Sequence, residues 1–406
     1  MRKHISMVVM AACALFASGC NDADRFDYDK EVLVMTGTEE SAVVRFVVED
    51  TPSTYPVTVS ATGKVTSPVT VDLKIDNSLV EKYNEEHKSS YYALPESAVS
   101  LENSTVTIET GKASSSIAEL KVLSTEEFVD GRIYVIPVTI SHVDGYLPVL
   151  ESSRTIYLRI SRVVEFTALD MSNYSMYSNF IFDDALAVDL PNYTYEVKCY
   201  VDAWHEGSEP ISRLCQWTAK DESRSNMLRF GENGQDINSL QWVNPAGNLV
   251  SKTRFQTKTW YTLTFTYDGS ALVMYVDGVK DVEGTGAGET TFQRFELGMS
   301  WGGGYPQKQR FLGRIAEIRV WDRVLSSSEI QLGLCGVDAA SEGLVAYWKM
   351  NEGEGHIFHD ATGHGYDMDW SQTVRDNTEG GTLNPFDYSS YVESSWVFDS
   401  NNKCSN

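Results

Sequence analysis

The stretch FLGRIAEIRVWDRVLSSSEI, Phe311 to Ile330, carries the pattern that decides the fold. Its first half alternates apolar with charged residues, as a strand with one buried face does. In its second half, Ser326 and Glu329 have the spacing of a capping box. We therefore predict a strand that ends near Trp321 and a helix that begins directly after it.

The acidic residues Glu317 and Asp322 in this stretch raise the question of catalysis. Hydrolysis of a glycosidic bond with retention needs two carboxyl groups about 5 Å apart. Residues five apart on a regular strand face opposite ways and lie roughly 16 Å apart, so only a bulge could realign them. We instead expect Glu317 to form an ion pair with Arg319, two residues along the same face. The residues expected to face the core are Ala316, Ile318 and Val320.

Alternating strands extend outward from this stretch in both directions. WYTLTFTYDGSALVMYVDGV, Trp260 to Val279, contains two strands around an Asp-Gly turn, which predicts a hairpin. Residues 31–160 also read as short strands, with turn residues about every ten positions, as in an antiparallel sandwich. One insertion, NSLVEKYNEEHKSS, has helical spacing with Asn77 as the expected cap.

The length of 406 residues exceeds the usual size of one hydrophobic core. We predict an all-β protein with an Ig-like sandwich at 31–160, a linker at 161–170 and a second β domain at 171–406. We interpret the first sandwich as a spacer, because it shows no convergent cluster of histidines, cysteines or acids.

The first twenty residues have the organisation of an export signal, with Arg2 and Lys3 followed by an apolar run too short to span a bilayer. LFASGC resembles the lipobox of bacterial lipoproteins, which implies that Cys20 is lipidated. Residues 21–30 are then an acidic tether. Their first acids resemble the surface-export signals of Gram-negative outer-membrane lipoproteins, and this implies a cell-surface location. A plain secretory signal is the alternative.

The charge of the chain argues against polyanionic partners. Of 33 basic residues, two lie in the signal, so the mature chain carries 31 basic against 57 acidic residues, a formal charge of −26. Such a surface repels nucleic acid and acidic polysaccharides but not neutral glycans.

Four cysteines remain outside the signal and the lipobox, at 199, 215, 335 and 404. An exported location permits disulfides, and three pairings of Cys199, Cys215, Cys335 and Cys404 are possible. Free buried thiols are the alternative, and the spacings match no metal or redox motif.

Two family resemblances follow from longer motifs. The hairpin, the opening stretch and GLVAYWKMNEGEGHIFHDATGHG, Gly343 to Gly365, resemble the laminin-G-like, concanavalin A-like jelly rolls of bacteria. The third motif comes late here, so we expect an edge strand from the C-terminal end. YNEEH and YYALPESAVSLE in the first half resemble an N-terminal module of bacterial surface lipoproteins encoded near glycan-uptake systems. In some relatives this module is fused to an endo-β-N-acetylglucosaminidase.

The jelly-roll resemblance bears on catalysis. Relatives that hydrolyse glucans carry the strand motif Glu-x-Asp-x-x-Glu, in which Arg319 replaces the middle acid here. An arginine stays charged and cannot take the part of that acid. We therefore predict no catalytic residues.

Sugar binding needs flat aromatic faces beside polar groups. Trp301 and Tyr305 lie in the glycine-rich stretch GMSWGGGYPQKQR and are the first candidates, followed by Trp242 and Trp204. The polar candidates are Arg229, Asp236 and Asn238. The tryptophans expected in the core are Trp260, Trp321 and Trp348.

DATGHGYD, Asp360 to Asp367, resembles the turns that hold structural calcium in related jelly rolls. The resemblance implies a carboxylate ligand from Asp360 and a carbonyl from Thr362 or Gly365, which suit a hard cation. A tight turn without an ion is the alternative.

Together these features predict a non-catalytic, surface-anchored lipoprotein that binds a neutral glycan for an uptake system. The fused endoglycosidases make N-glycan fragments one expected ligand. The alternatives are a divergent glycoside hydrolase and an adhesive subunit that binds a protein of an outer-membrane uptake complex.

Overall fold

The computed structural model describes residues 31–48, 51–129, 131–172, 178–206, 210–232, 234–298, 309–376 and 383–405. Strands dominate these ranges, so the all-β prediction is confirmed. Among the described residues, no helix is long and apolar enough to cross a bilayer. The predicted signal, Cys20 and the acidic tether lie outside the described ranges.

The N-terminal domain is a sandwich of short strands. They are β1 (Leu33–Met35), β2 (Val43–Val48), β3 (Ser53–Val57), β4 (Val59–Ala61), β5 (Val69–Ile75), β6 (Tyr92–Ala93), β7 (Val99–Glu102), β8 (Thr105–Ile108), β9 (Ala118–Val122), β10 (Tyr134–Asp144) and β11 (Thr155–Asp170). One sheet contains β2, β5, β6, β8, β10 and the first half of β11. The other sheet has the order β3-β9-β7, and β1 pairs separately with β4. Valine, leucine and isoleucine fill the core between them.

Helix α1 (Ser78–His87) forms where the sequence predicts it. The predicted cap, Asn77, precedes the helix, but its side chain makes no capping hydrogen bond there. Its Nδ2 donates to the carbonyl of Leu94 instead. Asp76 takes over the role, because its Oδ1 accepts from the backbone N–H of Ser78.

The C-terminal domain is a two-sheet jelly roll. Its strands are β12 (Ser178–Ile181), β13 (Val188–Leu190), β14 (Tyr193–Val201), β15 (Ser212–Thr218), β16 (Asn226–Phe230), β17 (Leu240–Asn244), β18 (Gly247–Val250), β19 (Trp260–Tyr267), β20 (Ala271–Val276), β21 (Val279–Thr285), β22 (Thr290–Phe292), β23 (Arg294–Leu297), β24 (Gly313–Trp321), β25 (Leu344–Trp348), β26 (Ile357–Phe358), β27 (Met368–Asp369), β28 (Thr373–Asp376), β29 (Leu383–Phe386) and β30 (Trp396–Ser405). The helices are α2 (Ser327–Leu332) and α3 (Ser389–Glu393). Short 3-10 turns lie at 96–98, 151–153, 184–186 and 333–335.

One of the two sheets of this domain continues into the N-terminal domain. The first runs β21-β20-β19-β14-β24 and continues through β11 into the N-terminal domain. The second runs β18-β17-β16-β15-β23-β12-β28-β29. The predicted hairpin is β19 and β20, and the predicted capping box at the start of α2 is present in full.

Aromatic rings fill the core between the two sheets. Tyr195 stacks on Trp217 with ring centroids 3.9 Å apart, and Trp348 is fully buried, as predicted. Trp321 is also buried, but in a small cluster under α2 rather than between the sheets. Trp260 does not belong to the core, because it is half-buried and its Nε1 donates to Asp399.

Strand β24 contains a bulge at Glu317, which has a φ of 28°. Ile318 pairs with Val197 while Ala316 pairs with Lys198, so Glu317 is the extra residue. The extra residue shifts the alternation of inward and outward side chains, so Ile315 rather than Ala316 points to the core. The predicted core row is therefore wrong at Ala316, and the residues that pack in the core are Ile315, Ile318 and Val320.

The segment predicted as a linker, 161–170, is the second half of the continuous strand β11. The first half of β11 pairs with β10 and β2 in the N-terminal domain. The second half pairs with β24 and, over seven residue pairs, with β30. The strand expected from the C-terminal end is thus present, and a shared strand joins the domains.

A second connection, here called the domain contact, joins the loop before β10 to the segment after α2. Arg132 and Asp338 form an ion pair at 2.7 Å. Beside it, Gly131 packs so tightly that a Cβ atom added there would lie 1.9 Å from the backbone carbon of Val337. The two domains therefore touch through backbone as well as side chains.

Candidate functional site

Glu317 belongs to a buried ion network and not to an open cleft. Arg319 lies between two carboxylates, with Nη2 2.9 Å from Oε2 of Glu317 and Nη1 3.1 Å from Oε2 of Glu196. Tyr347 donates its hydroxyl to the second oxygen of Glu317 at 2.5 Å. All four residues are at least 95% buried. The predicted ion pair of Glu317 and Arg319 is confirmed.

The network also fixes the ionisation of its cation. Burial by itself lowers the pKa of Arg319, but the carboxylates of Glu317 and Glu196 outweigh it and raise that pKa overall. Asp322 lies exposed beyond the end of β24 and takes no part. Glu317 and Asp322 therefore do not form a catalytic pair of carboxyl groups.

The candidate site lies on the outer face of the second sheet. Trp217, Leu228, Trp242 and Phe295 point into the core, so their neighbours on each strand point outward. We call this outer side of the sheet the polar face, and most of its side chains are buried. Its members are Asn179, Arg213, Gln216, Met227, Arg229, Gln241, Val243, Arg294 and Glu296.

Strand register places these side chains in rows across the sheet. Gln216 on β15 lies opposite Met227 on β16 and opposite Glu296 on β23. The row continues from Met227 to Val243 on β17 and from Glu296 to Asn179 on β12. Directly opposite side chains lie about 4.5–5.5 Å apart, so one small ligand can span several of them.

Arginines on the polar face are held by carboxylates. Arg229 contacts Glu232 at 2.5 Å through Nη1 and donates through Nε to Gln241 at 2.7 Å. Arg294 contacts Glu296 and Glu222, each at 2.6 Å.

Arg213 has a different set of contacts from its neighbours. Its Nε donates to Gln309 at 2.7 Å, and its Nη2 lies 3.7 Å from Glu232. Its Nη1 donates to the sulfur of Met227 at 2.8 Å. Burial and the charge of Arg229 lower the pKa of Arg213 to about 10. Three arginines thus face three glutamates, and the described part of the polar face is close to neutral.

Gln216 has a polar atom without a partner. The side chain is 98% buried, and its carbonyl oxygen accepts no hydrogen bond from the described residues. Buried polar atoms of this kind carry a free-energy cost and are uncommon in native proteins. Such an atom on the polar face is suited to accept a hydrogen bond from a ligand.

The structure places the predicted sugar contacts in different parts of the domain. Arg229 lies on the polar face. Trp242 was predicted wrongly, because it is fully buried in the core and its Nε1 donates to Asn226. Trp204 is half-buried against Phe230.

The other predicted contacts lie away from the polar face or outside the described residues. Asp236 is exposed in the loop before β17, where it pairs with Arg254. Asn238 is half-buried in the same loop, and its carbonyl accepts from Phe255. Trp301 and Tyr305 lie outside the described residues and stay predictions.

Sequence reasoning missed most of the polar face, but a signal was present. LCQWTA and FELG place single polar residues between aromatic or apolar ones, at Gln216 and Glu296, and Arg294 lies two residues before Glu296. Period-two alternation in strands that also carry core aromatics marks a face that stays polar.

The predicted calcium turn is satisfied by its own backbone. Both carboxylate oxygens of Asp360 accept hydrogen bonds, from the amides of Tyr347, Thr362, His364 and Tyr366. The hydroxyl of Thr362 donates to both oxygens as well. No cluster of acids, histidines or cysteines suited to a metal occurs in the described ranges. This arrangement of Asp360, Thr362 and Gly365 does not fit calcium.

We therefore expect calcium to leave the stability of the protein unchanged. An ion present at 100 times its dissociation constant would stabilise the fold by about 2.7 kcal/mol. Thermal unfolding in millimolar calcium and in EDTA should give the same midpoint. A rise with calcium that disappears in Asp360→Asn would contradict this expectation.

The cysteines divide into two groups. Cys335 is disulfide-bonded. Cys199 and Cys215 are free and fully buried in the core. Burial raises the pKa of both thiols, that of Cys215 to about 12, so neither is a reactive nucleophile.

Comparison with known proteins agrees with this architecture. Residues 177–331 match the family model of the concanavalin A-like lectin/glucanase superfamily, and residues 28–147 match the model of an N-terminal domain family. The chain thus combines that N-terminal module with a concanavalin A-like domain of the laminin-G type, as the sequence predicted. No curated protein matches the chain.

Three solved structures illustrate the likeness. A candidate carbohydrate-binding protein from Bacteroides ovatus is 24% identical, with a TM-score of 0.59 over 82% of this chain and 94% of that one. EndoBT-3987 from Bacteroides thetaiotamicron, solved with a Man5GlcNAc product, is 24% identical, with a TM-score of 0.27 over 32% of this chain and 30% of that one. A SAP-like pentraxin from Limulus polyphemus is 12% identical, with a TM-score of 0.30 over 42% and 82%. The first of these three covers both domains of this chain.

Proposed function

We propose that the protein binds a neutral glycan on the polar face without hydrolysing it. The observation that carries this proposal is the set of amide, guanidinium and carboxylate groups that the polar face presents across β17, β16, β15, β23 and β12. Such groups donate to and accept from sugar hydroxyls. The carbohydrate-binding candidate from Bacteroides ovatus, which shares the two-domain fold, supports the same proposal.

The charges of the polar face favour a neutral ligand. Each described arginine already has a glutamate nearby, so an anionic sugar would have to compete with these pairs. The surplus of acidic residues over the whole chain acts in the same direction.

The carboxylates of the polar face also support a non-catalytic role. Glu296 is ion-paired with Arg294, and Glu232 is ion-paired with Arg229. A retaining hydrolase needs one carboxyl group that carries a proton and a second that attacks the sugar. A carboxylate that is engaged with a guanidinium group is not positioned for either of these roles.

Calorimetric titration of the folded protein with neutral oligosaccharides tests the proposal. We expect binding to at least one of them and no release of reducing ends. Arg229→Ala should weaken binding about 10- to 100-fold, because a hydrogen bond to a charged group contributes roughly 1.5–3 kcal/mol. Arg254→Ala, in an exposed ion pair beyond the face, is the matched control and should bind normally. Turnover that Glu296→Gln abolishes would favour the hydrolase alternative.

We also propose that the protein is a surface lipoprotein anchored through Cys20 and that it serves a glycan-uptake system. The lipobox-like stretch and the acidic residues after it support this location. In cells, Cys20→Ala should release the protein from the membrane fraction, and protease added to intact cells should digest the wild type. Retention of Cys20→Ala in the membrane fraction would contradict the anchor.

A further inference from the structure

The row that contains Gln216 is polar at one end and apolar at the other. Gln216 has Glu296 on one side, while Met227 and then Val243 lie on the other. Met227 and Val243 are half-exposed, whereas Gln216 is buried. The apolar end is thus the partly exposed part of the row, and the buried, unsatisfied carbonyl oxygen belongs to the residue beside it.

Arg213 adds a donor at the same place. Its Nη1 donates to the thioether of Met227, and sulfur is a weak acceptor. A carbonyl oxygen placed there would be a better partner for a guanidinium group. One small area therefore offers a carbonyl acceptor, a guanidinium donor and an apolar surface.

These three features together match one chemical group. We propose that the polar face recognises the acetamido group of a 2-acetamido sugar, an inference that rests on the proposed glycan binding. The amide N–H donates to Oε1 of Gln216, the amide carbonyl accepts from Nη1 of Arg213, and the methyl group packs on Met227 and Val243.

A plain hydroxyl group uses the area less completely. A hydroxyl can donate to Gln216, but it leaves the apolar surface of Met227 and Val243 in contact with water. Burial of a methyl group there adds about 0.8 kcal/mol of binding free energy. This favours the acetamido sugar over an otherwise similar sugar with a hydroxyl group. The acetamido group is also uncharged, in agreement with the balanced charges of the face.

The test compares N,N′-diacetylchitobiose with cellobiose, which differ in the acetamido groups, by calorimetry on the full chain. We expect the wild type to bind the acetylated sugar at least about tenfold more tightly, as expected for a site built to hydrogen-bond a group that the competitor lacks. Gln216→Leu should reduce the affinity for diacetylchitobiose to that for cellobiose. Asn248→Ala, on the exposed edge strand β18, is the control and should keep the preference.

A second measurement distinguishes a specific loss of sugar recognition from a loss of folding. In saturation-transfer NMR, the acetamido methyl protons should receive the strongest signal in the wild type, and Met227→Ala should reduce it. Equal affinity for the two sugars would overturn the acetamido proposal and leave glycan binding intact. An unchanged preference in Gln216→Leu would also overturn it. Failure of folded protein to bind any glycan would instead overturn the proposed function.

Discussion

Arg319→Met is expected to lower the free energy of unfolding by about 3–5 kcal/mol, because it leaves two buried carboxylates without their cation. Glu196 and Glu317 are both at least 96% buried, and each contacts the guanidinium directly. Methionine fills much of the same volume, so the loss is electrostatic rather than steric. Urea unfolding followed by tryptophan fluorescence measures the change.

Two comparisons isolate the cause. Arg254→Met removes an exposed partner of Asp236 and should change stability little, since exposed ion pairs contribute little. Adding Glu196→Gln and Glu317→Gln to Arg319→Met should recover part of the loss, because the buried negative charges are then gone. A triple variant less stable than Arg319→Met alone would show that the network does not act through charge.

Gly131→Ala should destabilise the protein by about 2–5 kcal/mol, the second-largest effect expected. Part of this, roughly 1–2 kcal/mol, is the cost of a side chain at positive φ, here 81°. The rest comes from overpacking, typically 1–3 kcal/mol, because the new Cβ would meet the backbone of Val337. The measurement is again urea unfolding.

Gly111 provides a matched control for the backbone cost. It has a φ of 79°, and a Cβ added there would have nothing within 4 Å. Gly111→Ala should therefore pay only the conformational cost, and the difference between the two variants measures the domain contact. Equal losses in both would mean that Val337 can move aside freely.

Much of the fold could be predicted because its signals are local. The hairpin of β19 and β20 and the capping box at Ser326 depend on residues close together in sequence, and both form as predicted. The bulge at Glu317 could not be read from the sequence, since its register depends on β14, more than a hundred residues away. The error at Ala316 follows directly from that bulge.

The candidate site was harder to predict, because a tryptophan in a strand says little about which way it points. Trp242 was predicted as a sugar contact, yet the residues that point to the polar face are its neighbours Gln241 and Val243. Gln216 lies between Cys215 and Trp217, both in the core, and only the pairing of three strands shows that it faces Glu296 and Met227. Arg229 was a candidate because its polar side chain could pair with sugar hydroxyls, and the structure places it on the polar face beside Gln241.

The continuous strand β11 has a consequence for how such modules can be exchanged in evolution. A gene fusion that cuts after Asp170 would donate a jelly roll whose terminal strand, Trp396–Ser405, has lost seven backbone partners. A cut before Thr155 would strip β2 and β10 of theirs. The two modules are therefore expected to be inherited as a single cassette, with the recombination boundary on either side of the pair.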